Sequence, residues 1–138
     1  MITAVDSNIL IDFFVEGQRF SPSSRKALRG CAEQGAIVAC EIVVAEVGAH
    51  FPSSGAASAA FESMGITFEA LDFAAALVAA EAWRSYRRRG GKRDRMVADF
   101  LIGAHAQTRA DRLLTRDRGF YRTNFKRLRL IDPTSSAR

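Results

Sequence analysis

Four acidic residues, Asp6, Glu46, Asp99 and Asp117, stand where an α/β chain would build a site. Asp6 directly follows the apolar run Ile2 to Val5, and Glu46 lies on the helix after Ala36 to Ala39. Asp117 follows Leu113-Leu114-Thr115, and Asp99 falls in the first turn of a helix beginning near Val97. Singly, each has an ordinary explanation. Asp6 could cap a helix, Glu46 could pair with an Arg, Asp117 could serve a turn before Gly119, and an acid at Asp99 is favoured by the helix dipole. Together they pose an energetic problem, because two unit charges about 4 Å apart repel by about 4 kcal/mol at an effective dielectric of about 20. Converged carboxylates must take up protons or bind cations. Oxygen donors without Cys or His select hard ions, Mg²⁺ or Mn²⁺, which keep water that can be turned into a nucleophile. One ion, or two about 3.5 to 4 Å apart, would suit hydrolysis of a phosphodiester.

The elements that must carry these acids alternate. Ile2 to Val5 reads as a buried strand, with Asp6-Ser7-Asn8 able to cap a helix through Ile9 to Phe14. Ser21-Pro22 predicts an N-cap with Pro at the first helical position, for a helix ending near Gly35. Ala36 to Ala39 suits a second strand, and Ile42 to Ala49 a helix apolar almost all round except at Glu46, which therefore faces something other than bulk solvent. Ser53-Ser54 starts a helix ending near Gly65, and Ile66 to Phe68 is a short strand. Asp72 caps a helix whose Phe73, Ala76, Leu77, Ala80 and Trp83 recur as a packing stripe, closed by Gly90-Gly91. A helix from Val97 to near Thr108, a strand from Arg112 to Thr115, a helical turn at Phe120-Tyr121 and a strand from Leu128 to Ile131 complete the chain. This alternation predicts an α/β sandwich with a central, mostly parallel sheet, whose ligands bind beyond the carboxyl ends of the strands.

Composition sets the frame. The 138 residues, 48% hydrophobic and 25% charged, suit a single folded domain over 1–138 and exclude a disordered tail or a disulfide-built miniprotein. Phe73 to Ala80, bounded by Asp72 and Glu81, is an apolar run too short to cross a bilayer, and no secretory leader is apparent, so no membrane is expected and the cytoplasm is the expected compartment. Cys31 and Cys40 read as buried thiols, and with His50 and His105 they make no zinc spacing. His105, about 240° around its helix from Asp99, reads as structural. Charge is polarised: residues 1–83 hold four basic and ten acidic side chains (net −6), residues 84–138 sixteen and five (net +11). A basic segment of this kind is the footprint of a phosphate-binding protein. Its densest part is Arg84, Arg87, Arg88, Arg89, Lys92, Arg93 and Arg95, part of which would also close a helix at its negative end.

The stretches Val5 to Leu10, Ala45-Glu46-Val47, Ala98 to Ala106 and Leu113 to Phe120, in that order, resemble the four motifs of PIN-domain ribonucleases. Order, spacing and length are closest to the VapC toxins of type II toxin–antitoxin systems, and the resemblance spans nearly the whole chain. It implies a PIN-like, Rossmann-like α/β/α sandwich in which Asp6, Glu46, Asp99 and Asp117 form an acidic pocket for Mg²⁺ or Mn²⁺. Asp6 and Asp99 would be direct ligands, with Glu46 and Asp117 completing the pocket or holding water. The implied activity is metal-dependent endoribonuclease cleavage of RNA by activated water, often in tRNA or rRNA. Thr115 matches a hydroxyl position that could orient that water, or is simply a β-branched strand residue. Ser7 and Asn8 match supporting polar positions, or are helix caps. Implied partners are a cognate VapB-type antitoxin, able to place a basic side chain in the pocket, and a second copy in a homodimer.

The chain departs from relatives before Glu46, where Cys40, Glu41 and Val43 replace the usual Ser or Thr. Glu41, about 140° from Glu46 on a helix, reads as solvated, and Asp12 and Asp94 as surface or capping residues. The rival function is a non-catalytic RNA-binding or protein-interaction module on the same fold. A metal-dependent phosphatase is more remote, since Asp6-Ser7-Asn8 lacks the second Asp that an aspartyl nucleophile requires.

Overall fold

The computed structural model describes residues 1–92 and 97–134. Their order is β1 (Ile2–Val5), α1 (Ser7–Phe14), α2 (Ser21–Gln34), β2 (Ala36–Ala39), α3 (Glu41–Gly48), α4 (Ser54–Ser63), β3 (Ile66–Phe68), α5 (Phe73–Arg88), α6 (Val97–Arg109), β4 (Arg112–Leu114), α7 (Arg118–Asn124) and β5 (Leu130–Ile131). The strands form one sheet in the order β3-β2-β1-β4-β5, and every pairing is parallel. The expected α/β sandwich is thus the observed one, with the sheet parallel throughout. On central strand β1, Thr3 and Val5 point to one face and Ala4 to the other, and all three are buried, as strands covered by helices on both sides require. Asp6 is delivered at the carboxyl end of this strand, where its backbone N–H bonds to the Leu114 carbonyl of β4 at 2.9 Å.

Local chemistry fixes most boundaries. Asp6, Ser53 and Asp72 cap α1, α4 and α5, each side chain accepting a backbone N–H. Gly35 ends α2 at φ 156°, and a Cβ there would meet the Met1 carbonyl oxygen at 1.8 Å, so only glycine lets the chain's first residue lie this close. The α2 start differs from expectation: Ser21 is the first helical residue, Phe20 holds the cap position without a side-chain bond, and Ser21 Oγ instead accepts from Arg25 Nε at 3.0 Å. Cys31 and Cys40 are buried free thiols, as their composition predicts.

The packing stripe assigned to α5 faces outward at every position but Trp83. Phe73 is 79% and Leu77 54% exposed, and Ala76 and Ala80 are exposed as well. The buried side is Ala75 and Ala79, continued by half-buried Val78, Ala82, Trp83 and Tyr86. Apolar residues surround this helix, so periodicity alone does not select a face. Small side chains four apart let α5 approach α6 closely, and that selects the alanine face.

Phe100, buried on α6, gathers the rings of Trp83 and Tyr86 from α5 and of Phe120 and Phe125 from the α7 region, with centroids 5.0 to 6.4 Å away. Gly103, one turn on, lies under Phe125, whose ring a Cβ would meet at 2.4 Å. This cluster fixes the start of α6, and so Asp99, against the helix that follows Asp117.

Asp12 is not a surface residue. It is 1% exposed, accepts Arg116 Nε at 2.7 Å and Nη2 at 3.1 Å in a fork, and accepts Ser24 Oγ at 2.6 Å. The Arg116 guanidinium lies 4.4 Å from the Phe20 ring centre. Glu41 is exposed as expected, yet its carboxylate accepts the Leu71 N–H at 2.8 Å and ties the β3–α5 loop to α3. Asp94, Arg93 and Arg95 lie outside the described residues.

The Asp12–Arg116 pair yields a stability prediction. Asp12→Ala strands a guanidinium that is only 24% exposed and should cost about 3 kcal/mol in urea denaturation. Asp12→Leu combined with Arg116→Met should recover most of that loss. A single variant within about 0.5 kcal/mol of wild type would show the pair to be energetically idle.

Candidate active site

Asp6 is the most enclosed of the four acids, 5% exposed. Its Oδ1 accepts the Ser7 N–H at 2.7 Å, and its Oδ2 accepts the Thr115 hydroxyl at 2.7 Å, with Asn8 Nδ2 at 3.5 Å. Burial pushes the Asp6 carboxyl up from its ordinary 3.8 to about 6. The Thr115 and Ser7 hydrogen bonds favour the ionised form, the negative charge of Asp99 opposes it, and burial outweighs the bonds.

Thr115 is wholly buried and links two acids. Its hydroxyl donates to Asp6 and accepts the Asp117 N–H at 2.9 Å, so the loop carrying Asp117 is hung on the Asp6 side chain. Next to it, the Arg116 N–H donates to Asn8 Oδ1 at 3.3 Å while the Arg116 side chain clamps Asp12. Glu46 is tied in from α3 through its Oε1, which accepts the Ser7 hydroxyl. Ser7 and Asn8 therefore touch the acids themselves, and Glu46 does face another group, although the residue is exposed overall.

Tyr121 is the member that sequence reasoning missed. Its hydroxyl is buried with no partner in hydrogen-bonding geometry among the described residues, although it lies close enough to Asp6 to favour that carboxylate. Burial and the charges of Asp6, Asp99 and Asp117 drive its pKa well above the ordinary 10.0, so the phenol keeps its proton. A signal existed: Tyr121 is four residues past Asp117, and residues four apart share a helix face.

Asp6, Asp99 and Asp117 thus act on one buried hydroxyl, and Glu46 joins them through Ser7. Among the described residues, however, no three Asp, Glu, His or Cys side chains are gathered tightly enough to form a ready-made metal cage. Asp6 and Asp117 follow β1 and β4 at the carboxyl edge of the sheet, and Asp99 acts on Asp6 from the first turn of α6. Their chemistry still suits a hard divalent ion: the donors are carboxylate oxygens, and burial leaves the charge of Asp6 incompletely compensated. His105 is buried elsewhere on α6. Burial lowers its pKa, and its charged neighbours are Glu69, Glu41 and Arg109 rather than Asp99.

Other concavities differ in kind. An apolar cavity of about 550 Å³ at the β3 edge, lined by Val44, Gly48, Ala57, Phe61, Ile66 and Phe68 among others, holds no titratable group. No helix among the described residues is long and apolar enough to cross a membrane.

Comparison with known proteins agrees with this fold. The family model of the PIN domain matches residues 3–126. No curated protein sequence matches. Among solved structures, the chain is similar to VapBC2 from Rickettsia felis, bound to a DNA fragment from its promoter (TM-score 0.74, 17% identity, covering 96% of this chain and 98% of that one). It is similar to VapBC-1 from nontypeable Haemophilus influenzae (TM-score 0.73, 19% identity, 98% and 100% covered). It is also similar to VapC20 of Mycobacterium tuberculosis, described as a sarcin-ricin loop cleaving toxin (TM-score 0.62, 16% identity, 92% and 98% covered).

The raised Asp6 pKa has a thermodynamic consequence. The folded, metal-free protein binds this proton more tightly than the unfolded chain, so stability is lost as pH rises from about 4 through about 6. A carboxyl raised from 3.8 to about 6 corresponds to about 3 kcal/mol. In urea titrations with chelator present, Asp6→Asn should gain on wild type as pH rises through that window, reaching about 3 kcal/mol by about pH 8. A difference that stays constant with pH would contradict the assignment.

Proposed function

Because this chain belongs to the PIN domain family, we propose that it is a metal-dependent endoribonuclease, the toxin of a VapBC-type toxin–antitoxin pair. The observation that carries the reading is the buried Asp6 carboxylate, held under the field of Asp99 beside Thr115 and Tyr121 at the carboxyl edge of a parallel sheet. Asp6 and Asp99 would hold a Mg²⁺ or Mn²⁺ ion, with Glu46 and Asp117 completing its surroundings. When bound, such an ion activates water and neutralises charge developing on a phosphodiester.

The protein's own residues then have separable tasks. The Ser7 N–H and the Thr115 hydroxyl each occupy one Asp6 oxygen, fixing the plane of the carboxylate so that its remaining lone pairs point one way. Thr115 spends its only proton on Asp6, so it acts as a positioning residue for Asp6 and Asp117. The Ser7 hydroxyl orients Glu46. Tyr121 keeps its proton at neutral pH and is a donor for a phosphate oxygen or water placed between the acids.

In this reading the substrate is RNA, with tRNA or rRNA the candidates, and the net +11 of residues 84–138 supplies the attraction. The partners are a VapB-type antitoxin and a second copy of the chain. Exposed Phe68, Phe73 and Leu77 support a protein partner, because large apolar side chains on neighbouring elements seek cover. The solved structures of similar fold include toxin–antitoxin complexes.

The test is cleavage of purified tRNA and rRNA with Mg²⁺ or Mn²⁺. Asp6→Asn and Asp99→Asn should each reduce cleavage by roughly 100-fold or more, and chelation should abolish it. RNA binding without cleavage, indifferent to metal and to both substitutions, would replace the proposal with a non-catalytic binding module.

A further inference from the structure

The densest basic run, on which RNA contact was expected, is partly committed within the protein. Arg84 pairs with Glu81 at 3.1 Å, Arg89 bonds Ser85 and Asn124 at 2.7 Å each, and Arg87 lies over the Trp83 ring at 5.8 Å. A second group of cations is placed differently. Arg118, Arg122 and Lys126, with Leu128, Leu130 and Asp132, line a concavity of about 380 Å³ between α7 and the β5 edge. All three cations are exposed. Arg118 meets Asp132 at 3.7 Å, and among the described residues Arg122 and Lys126 form no ion pair. Three cations round one concavity against a single facing carboxylate make a focused positive potential that attracts an anion.

The position of this concavity says which anion. Arg118 immediately follows Asp117. Asp132 follows β5 as Thr115 follows β4, the two strands pair in parallel with Leu114 opposite Ile131, and the Thr115 N–H bonds the Ile131 carbonyl at 3.0 Å. The basic concavity therefore opens with Arg118 and Asp132 at the carboxyl edge, one strand or about 4.8 Å beyond the acids, and runs back along β5 past Arg122 to Lys126, which precedes that strand. A phosphodiester held at Asp6 and Asp117 would have its neighbouring phosphates on this side.

We propose that the face formed by Arg118, Arg122 and Lys126 is the phosphate track that holds single-stranded RNA beside the acidic pocket. The proposal rests on the ribonuclease reading. The track is sequence-blind, since cations on phosphates set register and carry no base information. It divides labour with the acids: the track binds the chain, and the pocket acts on one linkage.

Fluorescence anisotropy of a labelled oligouridylate, in chelator and over roughly 50 to 300 mM KCl, tests it on the full chain. Replacing Arg122 and Lys126 together by Gln should raise Kd about tenfold at the low-salt end and flatten the slope of log Kd against log salt by about 1.4, about 0.7 for each phosphate no longer neutralised. Arg122→Lys with Lys126→Arg should keep the wild-type slope, and Arg84→Gln, which removes a cation already paired with Glu81, should change it little. A Gln double variant with the wild-type slope overturns the track. So does one that keeps its RNA slope but loses binding to its antitoxin, which would assign the face to a protein. Cleavage of the same oligonucleotide in Mg²⁺ or Mn²⁺ separates the two ideas. Wild type that cleaves while the slopes coincide sinks the track alone, and wild type that never cleaves while the slopes differ sinks the nuclease reading alone.

Discussion

The carboxylate of Asp6 is held where its charge is costly, and much of the surrounding structure exists to hold it there. Burial drives it toward protonation, while a backbone N–H at the start of α1 and the Thr115 hydroxyl draw it back toward the ionised form. Asp99 lies in the first turn of α6, and Asp117 precedes α7. Three acids thus sit at three helix N-termini, whose positive ends offset part of their mutual repulsion. The offset is incomplete, since each such terminus contributes of order 1 kcal/mol or less at an exposed site, against a net cost of ionisation of about 3 kcal/mol at Asp6 alone. The remainder is free energy that a cation entering the pocket would recover.

Parallel topology brings Asp6 and the loop carrying Asp117 to one edge of the sheet. In a parallel sheet every strand ends on the same edge, so residues following β1 and β4 meet across one strand spacing, although 109 positions separate Asp6 from Thr115. Glu46 arrives on the helix after β2, the other neighbour of β1, and reaches the group through Ser7. Asp99 arrives on α6, held by the aromatic cluster about Phe100. The supports are as specific as the acids. Thr115 joins two of them through one hydroxyl, and Arg116 beside it anchors the same loop to buried Asp12 and Ser24. A loop fixed at consecutive residues from two directions gives Asp117 little freedom to swing away from the pocket.

Much of this was legible in the sequence because the signals were local. Short apolar runs bounded by Asp, Ser or Gly marked the strands, and Asp6, Ser53 and Asp72 announced helix starts through capping chemistry. The misreadings came where a local signal was degenerate or its partner distant. On α5, alanine on several sides left periodicity unable to select a face, and the fit to α6 decided it. Asp12 looked solvated because its partner Arg116 lies 104 positions away. Tyr121 looked like an ordinary aromatic in a short helix, since its place among three acids depends on tertiary packing, although its spacing from Asp117 was open to view. At Ser21, proline just inside the helix marked the start correctly, while the serine hydroxyl went to Arg25 instead of the cap.

The polarised charge of the chain acquires a spatial meaning from the same topology. The acidic first part supplies Asp6 and Glu46, and the basic last part supplies Asp99 and Asp117 together with most of the cations. At Asp117-Arg118 the two signs meet in adjacent residues, so the positive concavity begins where the acids of the sheet edge end. A polyanion alone would be repelled by the pocket, and a pocket alone would gather only small cations. Placed side by side, the cationic face offsets the repulsion that the carboxylates exert on a phosphate chain, and the acids keep the attraction from being uniform along it.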